Sequence, residues 1–101
     1  MRFLFKISLP VEAANAAARD GFSAMQRILD QQKPEAAYFI AEDGRRTAIL
    51  IVNMQDASQL PSIAEPWFLA FNASIEVTPA MVPQDLQKAG PSIAEAVKAF
   101  G

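Results

Sequence analysis

Residues 36–52 read AAYFIAEDGRRTAILIV, and this stretch decides the fold. Two runs rich in β-branched and aromatic residues flank Asp43-Gly44. Both turn residues accept the positive φ angles of a two-residue hairpin, so the segment predicts strand, tight turn, strand. The first strand covers residues 36–42, with Tyr38, Phe39 and Ile40; the second covers residues 47–52. The second run is apolar on both faces, which places it in the centre of a sheet.

Toward the N-terminus, residues 2–9 alternate strictly. Phe3, Phe5, Ile7 and Leu9 point one way, and Arg2, Leu4, Lys6 and Ser8 the other. That is the period of a half-buried strand. Pro10 stops it and suits a helix start, with Glu12 favourable beside the helix N-terminus. From residue 11 to about residue 32 the period lengthens: Val11, Ala14, Ala18, Phe22, Met25 and Leu29 recur at helical spacing. The spacing predicts one amphipathic helix, with Gly21 a weak point costing about 1 kcal/mol against alanine.

Toward the C-terminus, residues 56–72 carry a second helical stripe of Leu60, Ile63, Ala64, Trp67, Phe68 and Phe71. Asp56 with Gln59, and Ser62 with Glu65, both fit capping-box spacing. Pro66 costs about 3 kcal/mol inside a helix, so a break is expected there, with a new segment starting near it. Residues 74–80 alternate again, and Pro79 suits an edge strand. One or two helical turns from Pro83, ending at Gly90, and a last helix from Ser92, capped by Ser92 and Glu95, complete the chain. Pro-Ser-Ile-Ala-Glu occurs at residues 61–65 and again at 91–95, a shared way of starting a helix rather than a repeat architecture.

The order β-α-β-β-α-β, with a right-handed first crossover, predicts a ferredoxin-like α+β sandwich. Its antiparallel sheet has strand order 4-1-3-2 and carries both main helices on one face. The 101 residues make a single domain, with residues 1–82 as core and residues 83–101 as a C-terminal helical extension. The other sheet face is bare and apolar, which marks an interaction surface, and a twofold copy is the simplest cover. A homodimer is therefore expected.

Composition prunes the chemistry. The chain has no cysteine and no histidine. That excludes disulfides, thiolate nucleophiles, thiolate and imidazole metal sites, histidine-ligated haem and histidine acid–base catalysis. A net charge of −2 gives no field to attract nucleic acid or anionic membrane. No apolar run is long enough to span a bilayer, and no signal-peptide pattern follows the first strand, so a cytoplasmic location is expected. There is no glycine-rich phosphate loop and no acidic cluster for a metal, so no cofactor is expected.

Asp43-Gly44-Arg45-Arg46-Thr47 leading into an aliphatic strand, Glu65-Pro66-Trp67-Phe68, and Pro79-Ala80-Met81 resemble small uncharacterised bacterial proteins of the dimeric α+β-barrel superfamily. The resemblance covers nearly the whole chain and is structural. It implies two ferredoxin-like sheets facing each other around a cleft. Relatives of that kind include cofactor-independent monooxygenases and isomerases. Others use histidine as haem ligand or catalyst, and this chain has none to offer.

Five residues are candidates to line such a cleft. Lys6 lies mid-strand on the bare face, where pairing of the first and last strands places it beside Glu76. Together they would bind a polar substrate or move a proton, although a structural ion pair is the commoner meaning of such neighbours. Tyr38 and Trp67 are each the only residue of their kind. Either suits a planar ligand; Tyr38, on an outer strand, serves equally as packing, whereas Trp67, on the apolar stripe of a helix, reads first as core. Asn53 would orient a carbonyl or act as a turn residue. Arg45 and Arg46 would clamp a carboxylate or sit solvated at the hairpin tip. Glu42 and Asp43 are sequence neighbours, which on a strand point to opposite faces and make a poor acid–base pair. The readings are thus a homodimer binding a small organic molecule, a cofactor-independent monooxygenase or isomerase acting on a small planar compound, and a structural interaction module.

Overall fold

The computed structural model describes residues 1–101, and its hairpin falls at the Asp-Gly pair. β1 spans Arg2–Ser8, β2 Ala36–Glu42, β3 Arg45–Asn53 and β4 Ser74–Ala80. Asp43 and Gly44 have φ of 52° and 74°, the sign that a type I′ turn requires. The strands form one antiparallel sheet in the order β2-β3-β1-β4, so the fold is ferredoxin-like. β3 is central as its two apolar faces require, and Pro79 lies on an edge strand, where its missing N–H costs no ladder bond.

One sheet face carries the core. Phe5 and Ile7 of β1 stand opposite Leu50 and Ala48 of β3. Above them lie three helices: α1 (Val11–Arg19), α2 (Ser23–Gln32) and α3 (Leu60–Phe71). Trp67 and Phe71 of α3 are buried against this layer, with ring centroids 5.7 Å apart. β2 escapes the cover: Phe39, on its helix-side face, is 56% exposed.

The single helix expected over residues 11–32 is in fact two. Gly21 and Phe22 take φ of 67° and 57°, and this left-handed pair turns the chain between α1 and α2. Gly21 enters that region without a Cβ clash. Phe22 bears about 1–2 kcal/mol of strain, offset by packing against the core. The turn lets Ala14 on α1 and Met25 and Ile28 on α2 all reach the interior, while Val11 stays exposed.

The break expected at Pro66 does not occur. α3 runs through it, because Ala64 and Trp67 are buried on either side and hold both halves to the sheet. Their burial outweighs the lost hydrogen bond. Of the two capping boxes only the first forms. Asp56 Oδ1 accepts from the Ser58 N–H at 2.9 Å, and Gln59 Oε1 accepts from the Asp56 N–H at 3.1 Å. Ser62, inside α3, donates instead to the Gln59 carbonyl.

The last two helices are α4 (Pro83–Lys88) and α5 (Gly90–Phe100). α5 starts before Ser92, without a side-chain cap, because Ala89 stays helical at φ −78° and ψ −9° and passes the chain straight on. Every residue from 91 onward is exposed. This arm stretches the molecule to 57 × 28 × 19 Å, with a radius of gyration of 17.0 Å. A compact chain of this length has about 13 Å.

Candidate functional site

The bare sheet face is assembled by strand register. Tyr38 of β2, Ile49 of β3, Lys6 of β1 and Glu76 of β4 stand opposite one another and form a single transverse row. Ala36, Ile51, Leu4 and Thr78 form the next row, and Ile40, Thr47, Ser8 and Ser74 the row on the other side. Three of the five candidate residues therefore share one line across the sheet, with an aliphatic floor beside them.

Lys6 faces Glu76 across the strand pair, but its salt bridge is with Glu42, Nζ to Oε2 at 2.7 Å. The pair spans β3 diagonally above Thr47, which is 2% exposed. Thr47 is short enough for the lysine stem to cross. The hydrogen bond and charge of Glu42 hold the Lys6 pKa above the ordinary lysine value, with a smaller contribution from Glu76. At neutral pH Lys6 is thus an ammonium ion, suited to holding an acceptor and unsuited to acting as a base.

Tyr38 is 63% exposed at the β2 edge, so its ring is available on this face. Asn53 is the last residue of β3, where its Oδ1 accepts from the Met1 amino group at 2.8 Å. That position is at the far end of the face, away from the Lys6 row. Trp67 does not join the group. It is fully buried on the opposite side of the sheet, and its indole N–H donates to Gln32 Oε1 at 3.2 Å. Arg45 stands opposite Glu42, whereas Arg46 projects to the helix side and donates to Asn15 Oδ1 at 2.7 Å. The two arginines point to different faces and form no clamp.

Two features escape a reading of the sequence. The first is Arg2 with Glu35, where Nε lies 2.8 Å and 3.1 Å from the two carboxylate oxygens at one end of the open face. Their separation along the chain hides the pair until the sheet register is known. Arg2 hydrogen bonding holds the Glu35 pKa below its ordinary value. The pair's contribution to stability is therefore complete above the unfolded glutamate value of about 4.3 and is lost as pH falls through the lower folded value. The stability gap between wild type and Glu35→Gln, followed by urea titration, should be constant above about pH 5.5 and shrink in that acid window. A gap that does not change with pH would remove Glu35 as its source.

The second is a groove of about 500 Å³ on the helix side, between α2 and the uncovered part of β2. Leu9, Phe22, Met25, Leu29, Phe39 and Arg46 are among the residues that line it. No helix of the protein is long and apolar enough to cross a membrane.

Fold and face together define a ferredoxin-like α+β module with one sheet side under helices and the other bare, crossed by a row that holds Tyr38, Lys6 and Glu76 around Ile49. The chain belongs to the family described as Domain of unknown function (DUF3303), which matches residues 1–94. No curated protein matches its sequence. Among solved structures, a formyltetrahydrofolate deformylase from Pseudomonas putida KT2440 is similar at a TM-score of 0.48 and 17% identity, over 79% of this chain. The chain spans 29% of the length of that enzyme.

Proposed function

We propose that this protein is a homodimer of the α+β-barrel type, in which two open sheet faces enclose a cleft that binds a small organic molecule. The observation that carries the proposal is the row Tyr38, Ile49, Lys6 and Glu76, set against the aliphatic side chains of Leu4 and Ile51. A cavity with an apolar wall and a few convergent polar groups is the usual form of a ligand site. The ligand's flat apolar body lies on Leu4, Ile49 and Ile51. Its polar edge takes a hydrogen bond from the Lys6 ammonium and donates to Glu42 or Glu76, with Tyr38 at the rim.

Binding is favoured over turnover by the state of Lys6. Its salt bridge with Glu42 keeps it charged, and the chain has no histidine or cysteine to take over proton transfer or nucleophilic attack. The test begins with sedimentation equilibrium, where a mass near twice 11.0 kDa is expected and a monomer at micromolar concentration refutes the cleft. Small aromatic acids and amides are then screened by thermal shift. Lys6→Met should weaken any ligand found by about tenfold to a hundredfold while preserving the dimer, the range for losing one charged hydrogen bond. Unchanged affinity in Lys6→Met would place the ligand elsewhere.

A further inference from the structure

We infer that the groove between α2 and β2 is a second binding site, which takes a monocarboxylic acid with an extended apolar tail. The inference does not rest on the dimer proposed above, whose cleft lies on the other side of the sheet. The groove holds about 500 Å³, within the roughly 300–1,000 Å³ of small-molecule sites. Its walls are mostly apolar. Phe22, Met25 and Leu29 line it from the α2 side, and Phe39 and Ala48 from the sheet. From Phe22 to Leu29 the helix-side wall is about 10 Å long. Phe39 is left 56% exposed on the sheet wall.

Arg46 is the one charged residue in this lining. The other polar side chains there are engaged within the protein: Gln26 donates to Asp30, and the Thr47 hydroxyl donates to the Arg45 carbonyl. Arg46 donates from Nη1 to the neutral Oδ1 of Asn15 at 2.7 Å and meets no carboxylate, whereas Arg2 and Lys6 each have a glutamate partner. The bond to Asn15 holds the guanidinium in place and leaves its Nε–Nη2 pair free. Two such parallel donors match the two oxygens of a carboxylate.

The sheet register gives the ligand a direction. Ser8 pairs with Thr47 and Ala36 with Ile51, so the helices joining β1 to β2 run from the hairpin end of the sheet to the far end. Arg46, opposite Ala41, lies at the hairpin end. A carboxylate held there leaves its tail to run past Met25 toward Leu29. A second charge on the ligand would be stripped of water against that apolar wall, which selects a monoacid. Phe22 adds an independent observation. Its φ of 57° is one that a bulky residue rarely adopts. Strain of this kind gathers at ligand clamps, and here it sets a half-buried ring in the groove wall.

The test uses decanoate, titrated below its micelle concentration into the full-length protein. Two-dimensional amide NMR should show shifts at Phe22, Leu29, Phe39 and Arg46, and isothermal titration gives the affinity. Arg46→Met keeps an apolar stem and removes the guanidinium. It should weaken decanoate by about tenfold to a hundredfold, the range for losing a charged hydrogen-bond partner, and leave decanol unchanged. Arg46→Gln replaces it if Arg46→Met does not fold. Leu29→Trp narrows the trough and should weaken both ligands by about tenfold or more. Decanoate affinity unchanged in the arginine variant overturns the inference. An equal loss of decanoate and decanol in that variant also overturns it, because the groove's shape and not its charge would then have changed. Shifts confined to the Lys6 row overturn the groove and support the sheet-to-sheet cleft. Shifts confined to Ile93, Val97 and Phe100 place the acid on α5 and overturn it as well. No shift at all overturns the groove and leaves the cleft as it stood.

Discussion

Trp67→Ala is expected to lower the melting temperature by about 15–30 °C, the largest loss of stability from any single truncation in this protein. Trp67 is fully buried, packs on Phe71, and places its indole N–H on Gln32. Truncating a buried tryptophan costs about 3–5 kcal/mol, from lost transfer free energy and the cavity left behind. Each kcal/mol moves the midpoint of a domain this size by about 4–8 °C. The total stability of such a domain is only about 5–15 kcal/mol, so the variant sits near the threshold of folding. Trp67→Phe keeps most of the volume but leaves the Gln32 oxygen without its donor, and should cost about 1–3 kcal/mol. Thermal unfolding followed by circular dichroism measures both. A loss below about 1 kcal/mol for Trp67→Ala would mean that the ring is not a core element. Because α3 keeps its helix through Pro66 by anchoring Trp67, the same variant should also lose helical signal before the melt.

Ile49→Asp is expected to split the proposed dimer into folded monomers, with the dissociation constant raised about a thousandfold or more. Ile49 stands between Tyr38 and Lys6 at the centre of the open face. In the dimer the new carboxylate would be buried across from its twofold mate, and unpaired buried charge is strongly disfavoured. In the single chain it meets water and the Lys6 ammonium, so the fold loses only about 1 kcal/mol of strand preference. Sedimentation equilibrium over a concentration series gives the constant, and circular dichroism verifies the fold. Tyr38→Asp, on the same row at an exposed edge, serves as the second variant if Ile49→Asp unfolds. Dimer affinity unchanged in both would remove the open face from the interface.

The legible parts of this molecule were local. Asp43-Gly44 between two β-rich runs reads directly as a hairpin, because positive φ is a property of those residues and of their turn. The alternation of residues 2–9 assigns Lys6 and Leu4 to the bare face and Phe5 and Ile7 to the core, as observed. The strand order follows from the handedness of the first crossover and the shortness of the hairpin. The register of β1 with β4 brings Lys6 opposite Glu76 for the same reason, since both strands end at readable stops.

The illegible parts were decided by competition between local preference and packing. Gly21 and Phe22 reverse what the helical stripe of residues 11–32 predicts, because two shorter helices bury Ala14, Met25 and Ile28 together. Pro66 fails to break α3 because burial on both sides outweighs one hydrogen bond. Trp67 is a core residue, as its place on the apolar stripe of residues 56–72 favours, and only its candidacy for the open face is set aside.

By itself, the sequence determined the class of fold, the bare sheet face and the absence of histidine and cysteine chemistry. Each of these is a matter of period, turn type or composition, carried within a few residues. Only the tertiary structure decided that Lys6 pairs with Glu42 while Glu76 stands opposite, that Arg2 holds Glu35, and that α5 leaves its apolar side uncovered. Those outcomes depend on distances of a few ångströms between residues far apart in the chain. Such distances exist only once the sheet has set its register and the helices have found their packing.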